Sequence, residues 1–474
     1  MIFEGLNTDS SELDTPVIIF GSGPAGISLA LDLEKKNISS TIFEAGGEFY
    51  SDDSQSQYQG VILGDQLESL DQSRLRQLGG TSGIWGGWCR PFEDYDFKKW
   101  QLSKKDLDFY LEDACDILEI KNNFRSSLLD DNIKQIEYQY SIIQFGSYYK
   151  DHLQKSKNIR VFLNSQLSHF ESENKKISLA VIKSKDTTIK IKSKIFVLAT
   201  GGIENSRLLL WSRFKNQQLL DKSLPIGKYW MHHPFVYGGK GVIYKNKLNK
   251  KFSKEFLNYE GPVHFTPSEK FLKSKNLLSC SMHIIPVEDK TYQNTKQILR
   301  EIACFAPKLG NKLRLFLQRK ELYCGNIKMH LEENYDAKNY ISLDDKKKDK
   351  HGIPRPILNY NQNKSTISSC KNALLAFANF CVEKNIGRIA ISEDVANENK
   401  IKNIAQGGYH PSGGTIMGDN KNNSVVDKNL KVHDTDNLYV LGSSTFTTVG
   451  YVNPTLSIVQ FSVRLSDYIK NKLI

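Results

Sequence analysis

Three glycines and one acidic residue near the start of the chain have the spacing of a dinucleotide-binding turn. Gly21-Ser22-Gly23-Pro24-Ala25-Gly26 follows the apolar run from Thr15 to Phe20 and opens a helical stretch reaching about Lys36. In such a turn Gly21 permits the tight bend, Gly23 lets a pyrophosphate approach the backbone, and Gly26 lets the helix pack close on the strand. The start of the helix then turns its free N–H groups toward the phosphates. A second strand, from Ser40 to Phe43, ends at Glu44, 18 residues after Gly26. A carboxylate at that place accepts hydrogen bonds from the adenosine ribose. The unit predicts a bound dinucleotide and leaves FAD and NAD both open.

The elements that would hold this turn are scattered along the chain. Ser193 to Ala199 reads as a strand leading into Thr200-Gly201-Gly202 and a helix around Glu204 to Leu210. Leu438 to Leu441 reads as another strand, opening into Gly442-Ser443-Ser444, and a last helix runs from after Asn453 to about Lys470. The expectation is an α/β fold with a discontinuous dinucleotide-binding domain built from 1–100, 150–235 and 400–474. Residues 236–399 are expected to form an α+β substrate-binding domain with a mixed or antiparallel sheet, and 101–149 a helical insertion. Within the substrate domain, Leu278 to Ile284 alternates as a strand should. The stretch 295–323 reads as a basic helix, and Asp344 to Lys350 as a solvated hairpin or loop.

Length and composition fit this division. A chain of 474 residues is too long for one simple core. Its 39% hydrophobic and 25% charged residues are ordinary for a globular protein. Seven cysteines lie scattered without a CxxC pair, which indicates neither a disulfide framework nor a metal site and fits a reducing compartment. The opening residues are polar and acidic, and the longest apolar runs fall short of the ~18 residues a bilayer span needs. A cytoplasmic protein is expected. The net charge of +11 reads as a solvated basic surface or as attraction to an anionic substrate or a membrane surface. Lys312 to Lys320 would suit a membrane-facing helix, and equally a surface helix packed on its own domain. No nucleic-acid motif accompanies the charge.

A second glycine-dense loop decides the cofactor. Leu78-Gly79-Gly80-Thr81-Ser82-Gly83-Ile84-Trp85-Gly86-Gly87 can pass within contact distance of a flat ring, where a side chain would clash. With Trp88-Cys89-Arg90-Pro91 after it, this loop resembles the FAD-lining signature of the glucose–methanol–choline family of flavoprotein oxidoreductases. Trp85, and the segment from Trp100 to Tyr110, are similar to the sugar-oxidising branch that includes pyranose oxidases. The similarity continues through Phe196 to Leu210, through His330 to Pro356, and through the C-terminal block His410-Pro411-Ser412-Gly413-Gly414-Thr415-Ile416-Met417-Gly418, Val425-Val426-Asp427 and Asn453-Pro454.

The resemblance implies a Rossmann-like FAD-binding domain and oxidation of a CH–OH group of a sugar or polyol, possibly activated or lipid-linked. The alternatives are a non-sugar alcohol, or a flavin-binding protein without turnover. It implies FAD contacts at Gly21, Gly23, Ala25, Gly26, Glu44, Gly79, Gly80, Thr81, Trp85, Gly86, Leu167, Ala199, Thr200, Gly201, Gly442, Ser443, Pro454 and Thr455, with Leu167 on the adenine. Many family members attach FAD through a histidine just before the loop tryptophan; Ile84 stands there, so non-covalent FAD is expected. Gly442 replaces the usual aspartate of the last strand, and Ile416 a usual basic residue. His410 and Asn453, 43 residues apart, match the family pair that faces the reactive edge of the flavin. A neutral imidazole can take the hydroxyl proton while an amide N–H steadies the developing alkoxide, and the hydride goes to flavin N5. Asn453 before Pro454 also reads as a helix N-cap. That helix would aim its positive end at the N1–C2=O edge of the flavin. His232 and His233, adjacent on extended chain, point to opposite faces and are expected to pack against the flavin domain. His433 is expected to be solvated. The partners implied are a small alcohol or sugar and an electron acceptor, oxygen or another.

Overall fold

The computed structural model describes residues 1–6, 14–185, 187–244, 264–286, 322–397, 401 and 405–473. Its organising element is a six-stranded sheet drawn from both ends and the middle of the chain. The strands are β1 (Ile2–Glu4), β2 (Val17–Phe20), β3 (Ser40–Phe43), β4 (Ile159–Leu163), β5 (Ile195–Leu198) and β6 (Leu438–Val440). They lie in the order β1-β4-β3-β2-β5-β6, every neighbouring pair parallel. All residues of β2, β3 and β5 are buried, and β2 and β5 accordingly read as continuous apolar runs. β3 instead opens on Ser40 and Thr41, the Thr41 hydroxyl meeting that of Thr15 at 2.9 Å. Helix α1 (Pro24–Lys35) packs on this sheet and directly against α3 (Thr455–Leu473), while α2 (Gly201–Lys215) packs on the strands Gln166–Glu173, Tyr340–Lys348 and Pro354–Tyr360. The sequence pattern had shown four of the six strands. β1 has two exposed residues out of three and β4 follows a polar stretch, so neither announces itself by hydropathy.

A seven-stranded antiparallel sheet stands apart from it. Its order is Gly387–Ile391, Phe235–Tyr244, Leu322–Leu331, Cys280–Pro286, His264–Pro267, Ile133–Ile136 and Ser126–Leu128. One face packs on the helix Lys364–Glu383, where Met282, Ile284, Ile327 and Met329 meet Leu374 and Phe377. The other face carries His264, His283, Lys328 and His330, because side chains alternate along each strand.

Two expectations change here. The segment 101–149 is helical at Lys104–Asp108, Leu111–Ile117 and Phe145–Lys155, but 126–128 and 133–136 are strands. Ile133 belongs to the core of the antiparallel sheet, and that burial draws the segment to the sheet edge. Asp344 to Lys350 does close a hairpin between Tyr340–Lys348 and Pro354–Tyr360, yet Asp349 at its turn is buried against Arg207 rather than solvated. Lys312 to Lys320 and most of 295–323 lie outside the described residues; Leu322 already begins a strand. Cys89, Cys115, Cys280, Cys370 and Cys381 are free and buried, and no helix among the described residues is long and apolar enough to cross a membrane.

Candidate active site

The glycine turn is held by its own backbone contacts and by Glu44. A Cβ on Gly21 would sit 2.5 Å from the Ala199 carbonyl oxygen, and one on Gly26 would sit 2.0 Å from that of Gly21. Both glycines are therefore required by protein packing. Gly23 is different. Its φ of −68° is open to any residue, and a Cβ there would meet nothing within 4 Å, yet it faces a cleft at the N-terminus of α1. No contact among the described residues requires a glycine at that point. The first turn of α1 contains no acidic residue, so its positive end faces the cleft without a carboxylate of its own.

Glu44, expected to face a ribose, is also a brace for the turn. Its Oε2 accepts from the Ser22 amide at 2.9 Å and the Ser22 hydroxyl at 2.7 Å, and its Oε1 from the Gly46 amide at 2.7 Å. Ser22 in turn ties the turn to the second glycine loop, because the Gly79 amide donates to its carbonyl and hydroxyl oxygens at 3.1 and 3.2 Å. Thr200 is bound through its amide and hydroxyl to Asn205 Oδ1, and the Asn205 amide reaches Ser444 Oγ at 2.8 Å. The first set of bonds ties the end of β2 to that of β3 and to the second glycine loop, and the second ties the end of β5 to that of β6.

The residues expected to contact a cofactor line one cleft, apart from Gly26 and Gly79, which serve packing. Gly21, Gly23, Ala25, Glu44, Gly80, Thr81, Trp85, Gly86, Leu167, Ala199, Thr200, Gly201, Gly442, Ser443, Pro454 and Thr455 all line it. His410 and Asn453 line the same cleft, with Asn453 Nδ2 3.5 Å from His410 Nε2. That is long for a hydrogen bond, and it lets the two groups share a third polar atom in front of them. Among the described hydrogen bonds the Asn453 side chain turns to His410 and to no helix amide. The Pro454 carbonyl, not Asn453, accepts the first helical bond of α3, from Ile458. Asn453 therefore sits one residue too early for a simple cap.

Sequence reasoning placed His233 among packing residues, and the structure gives it more. His233 Nδ1 lies 2.9 Å from His410 Nδ1, and His233 Nε2 lies 2.9 Å from the Val449 carbonyl oxygen. His232 does point away, to Tyr360 Oη at 2.9 Å and to the Gly408 amide at 3.0 Å. Burial, then His233 and Lys328 nearby, pushes the His410 imidazole down to about 3. Burial likewise lowers His233 to about 4 and His232 to about 3. All three rings are neutral at pH 7. His433 is half-buried rather than solvated, with Nε2 3.0 Å from both Ser424 Oγ and the Gly418 carbonyl.

A buried charge network, invisible in the sequence, flanks the cleft. Arg74 and Arg207 both hold Glu204 at 2.9 Å, and Arg207 holds Asp349 at 2.7 Å. Arg76 lines the cleft 4% exposed and binds Ser54 and Gln166, but no carboxylate among the described residues. Arg74 and Arg76 immediately precede the second glycine loop, a signal that could have been read as a cation pair beside a phosphate site.

Residues 336–462 match the family model described as GMC oxidoreductase. That matched span holds His410 and Asn453, while both glycine loops lie before it. Two curated relatives match: the fructose dehydrogenase large subunit of Gluconobacter japonicus, 26% identical over 60% of this chain and 48% of that one, and the 2-methyl-1,2-propanediol dehydrogenase of Mycolicibacterium austroafricanum, 25% identical over 60% and 49%. The chain thus spans about half the length of the curated relatives it matches. The crystal structure of pyridoxine 4-oxidase from Mesorbium loti superposes with a TM-score of 0.62 at 13% identity, over 96% of this chain and 99% of that one, a likeness of fold.

Proposed function

We propose that this chain is a GMC-type oxidoreductase that binds FAD non-covalently and oxidises a CH–OH carbon of a sugar or polyol to a carbonyl. The observation that carries the reading is the meeting of His410 and Asn453 in the cleft that also holds the glycine turn. The residues present fit the cofactor. Gly23 leaves backbone bare toward the cleft, the α1 N-terminus and buried Arg76 complement a pyrophosphate, Glu44 keeps acceptor capacity for a ribose, and Leu167 offers an apolar face. Ile84, which lines the cleft, has no nucleophile to bond the ring, which supports non-covalent attachment.

Bound FAD supplies the two-electron acceptor for a hydride. The chain supplies the rest. Neutral His410 takes the hydroxyl proton at Nε2 as the C–H bond gives up its electron pair, and Asn453 Nδ2 donates to the same oxygen as it gains charge. The oxygen becomes a carbonyl, the proton stays on His410, and the hydride leaves with both electrons. The relatives whose names place fructose and a 1,2-diol as their substrates support a carbon flanked by further hydroxyls.

The test is direct. Protein reconstituted with FAD is mixed anaerobically with a panel of sugars, polyols and simple alcohols, and flavin bleaching is followed. Bleaching by polyhydroxylated members and release of intact FAD on acid precipitation are expected. Bleaching by none of them, with FAD bound, would leave a flavin protein without this chemistry.

A further inference from the structure

We infer that His233 is a positioning residue that decides which nitrogen of His410 carries hydrogen, an inference that rests on reading His410 as the proton acceptor. The Val449 carbonyl can only accept, so His233 Nε2, 2.9 Å away, must carry hydrogen and donate. A neutral imidazole has one ring hydrogen, so His233 Nδ1 presents a lone pair. That lone pair faces His410 Nδ1 at 2.9 Å, so His410 must supply the hydrogen there. The free lone pair of His410 is left on Nε2, the nitrogen turned toward Asn453 and the cleft. Asn453 Nδ2 is a donor, which agrees with a bare Nε2 and would conflict with a protonated one.

The arrangement has the logic of a carboxylate holding a catalytic histidine in one tautomer, with a neutral acceptor in place of the charge. A carboxylate would pull His410 toward its protonated form. An imidazole orients the ring without doing so, and the base stays empty until a substrate proton arrives. When Nε2 takes that proton, the Nδ1–H stays on the His233 lone pair and the new positive charge keeps its partner.

His232 secures the same residue from the backbone side. Its Nδ1 accepts from the Gly408 amide, so its Nε2 donates to Tyr360 Oη, and the Tyr360 hydroxyl donates to Glu333 Oε1 at 2.8 Å. A Cβ on Gly407 would sit 2.5 Å from the His232 ring, so the chain leading to His410 is fitted to that histidine. Two adjacent histidines facing opposite ways thus fix one residue, His233 through its ring and His232 through the backbone before it.

Histidine-¹⁵N-labelled protein, with His410→Ala used to assign the signal, reports the tautomer by NMR without turnover. Hydrogen on Nδ1 and a bare Nε2 are expected for His410 in the parent. His233→Leu should lose that preference, keep its FAD, and slow anaerobic flavin reduction by about 10²–10³-fold, less than the ~10⁴ of a wrong tautomer held by a carboxylate. His233→Asn, whose side-chain oxygen can replace Nδ1 as acceptor, should recover to within about tenfold of the parent. A parent His410 protonated on Nε2, or a His233→Leu protein that reduces flavin at the parental rate, overturns the inference. Should the tautomers be as assigned while no alcohol reduces the flavin, the oxidation chemistry falls and the hydrogen-bond chain stands.

Discussion

Replacing Glu44 by Gln removes one charge and no atoms, and the structure sets the size of the effect. The carboxylate accepts from the Ser22 amide, the Ser22 hydroxyl and the Gly46 amide, in a site 5% exposed. An amide accepts on one side only. If its oxygen faces Ser22, its NH2 group confronts the Gly46 N–H; if it faces Gly46, it confronts the Ser22 N–H. Either way one buried backbone donor loses its partner, at about 1–3 kcal/mol, and the surviving bonds lose their charge assistance, at about 1 kcal/mol more. A loss of about 2–4 kcal/mol is expected in urea denaturation of the flavin-free protein. The same turn cradles the pyrophosphate in the proposed complex, so FAD affinity, read from quenching of flavin fluorescence, should fall about 30- to 700-fold. Stability within ~0.5 kcal/mol of the parent, the ordinary scatter of a surface change, would show that Glu44 does not brace the turn. A destabilised protein with parental FAD affinity would refute the link between turn and cofactor.

Two further outcomes follow from the same geometry. The His410 conjugate acid is pushed down to about 3, so the base stays available well below pH 6.5, and the rate of anaerobic flavin reduction should be flat between pH 8 and 5. An ordinary histidine would lose about 30-fold over that range, and a titration near pH 6–7 would contradict the burial argument. Gly202→Ala should cost about 1–3 kcal/mol in thermal or urea unfolding and slow reduction, because its Cβ would lie 2.1 Å from the carbonyl oxygen of Pro411, the residue after His410. An alanine variant as stable and as fast as the parent would show that this contact does not set the position of His410.

What the sequence disclosed and what it hid divide along physical lines. The turn at 21–26 and the strands ahead of Gly21 and Thr200 were legible because buried parallel strands are continuous apolar runs and the glycine spacing has a local cause, and Ser40–Phe43 was legible from its place before Glu44 in the same unit. The pairing of His410 with Asn453 came from resemblance, and the structure brings the two side chains to one cleft. The strand at 133–136 was misread because its burial depends on pairing with 264–267, more than a hundred positions away, and 126–128 is an exposed edge strand that pairs only with it. Asp349 looked like one more charge in a lysine run; only the folded chain brings Arg207 to it. For His232 and His233 the sequence could say that they point apart, but not that His233 would meet His410, since the contact spans 177 positions. Partners of this kind leave no local pattern.

The central claim is that His410 takes the proton of a hydroxylated carbon whose hydride reduces the bound flavin. The measurement that addresses it most directly is stopped-flow anaerobic flavin reduction by the first polyol found to bleach the protein, comparing parent with His410→Ala at matched FAD occupancy. Loss of general-base catalysis predicts reduction about 10²–10⁴-fold slower in the variant, with its visible flavin spectrum retained. Equal rates in the two proteins would contradict the account.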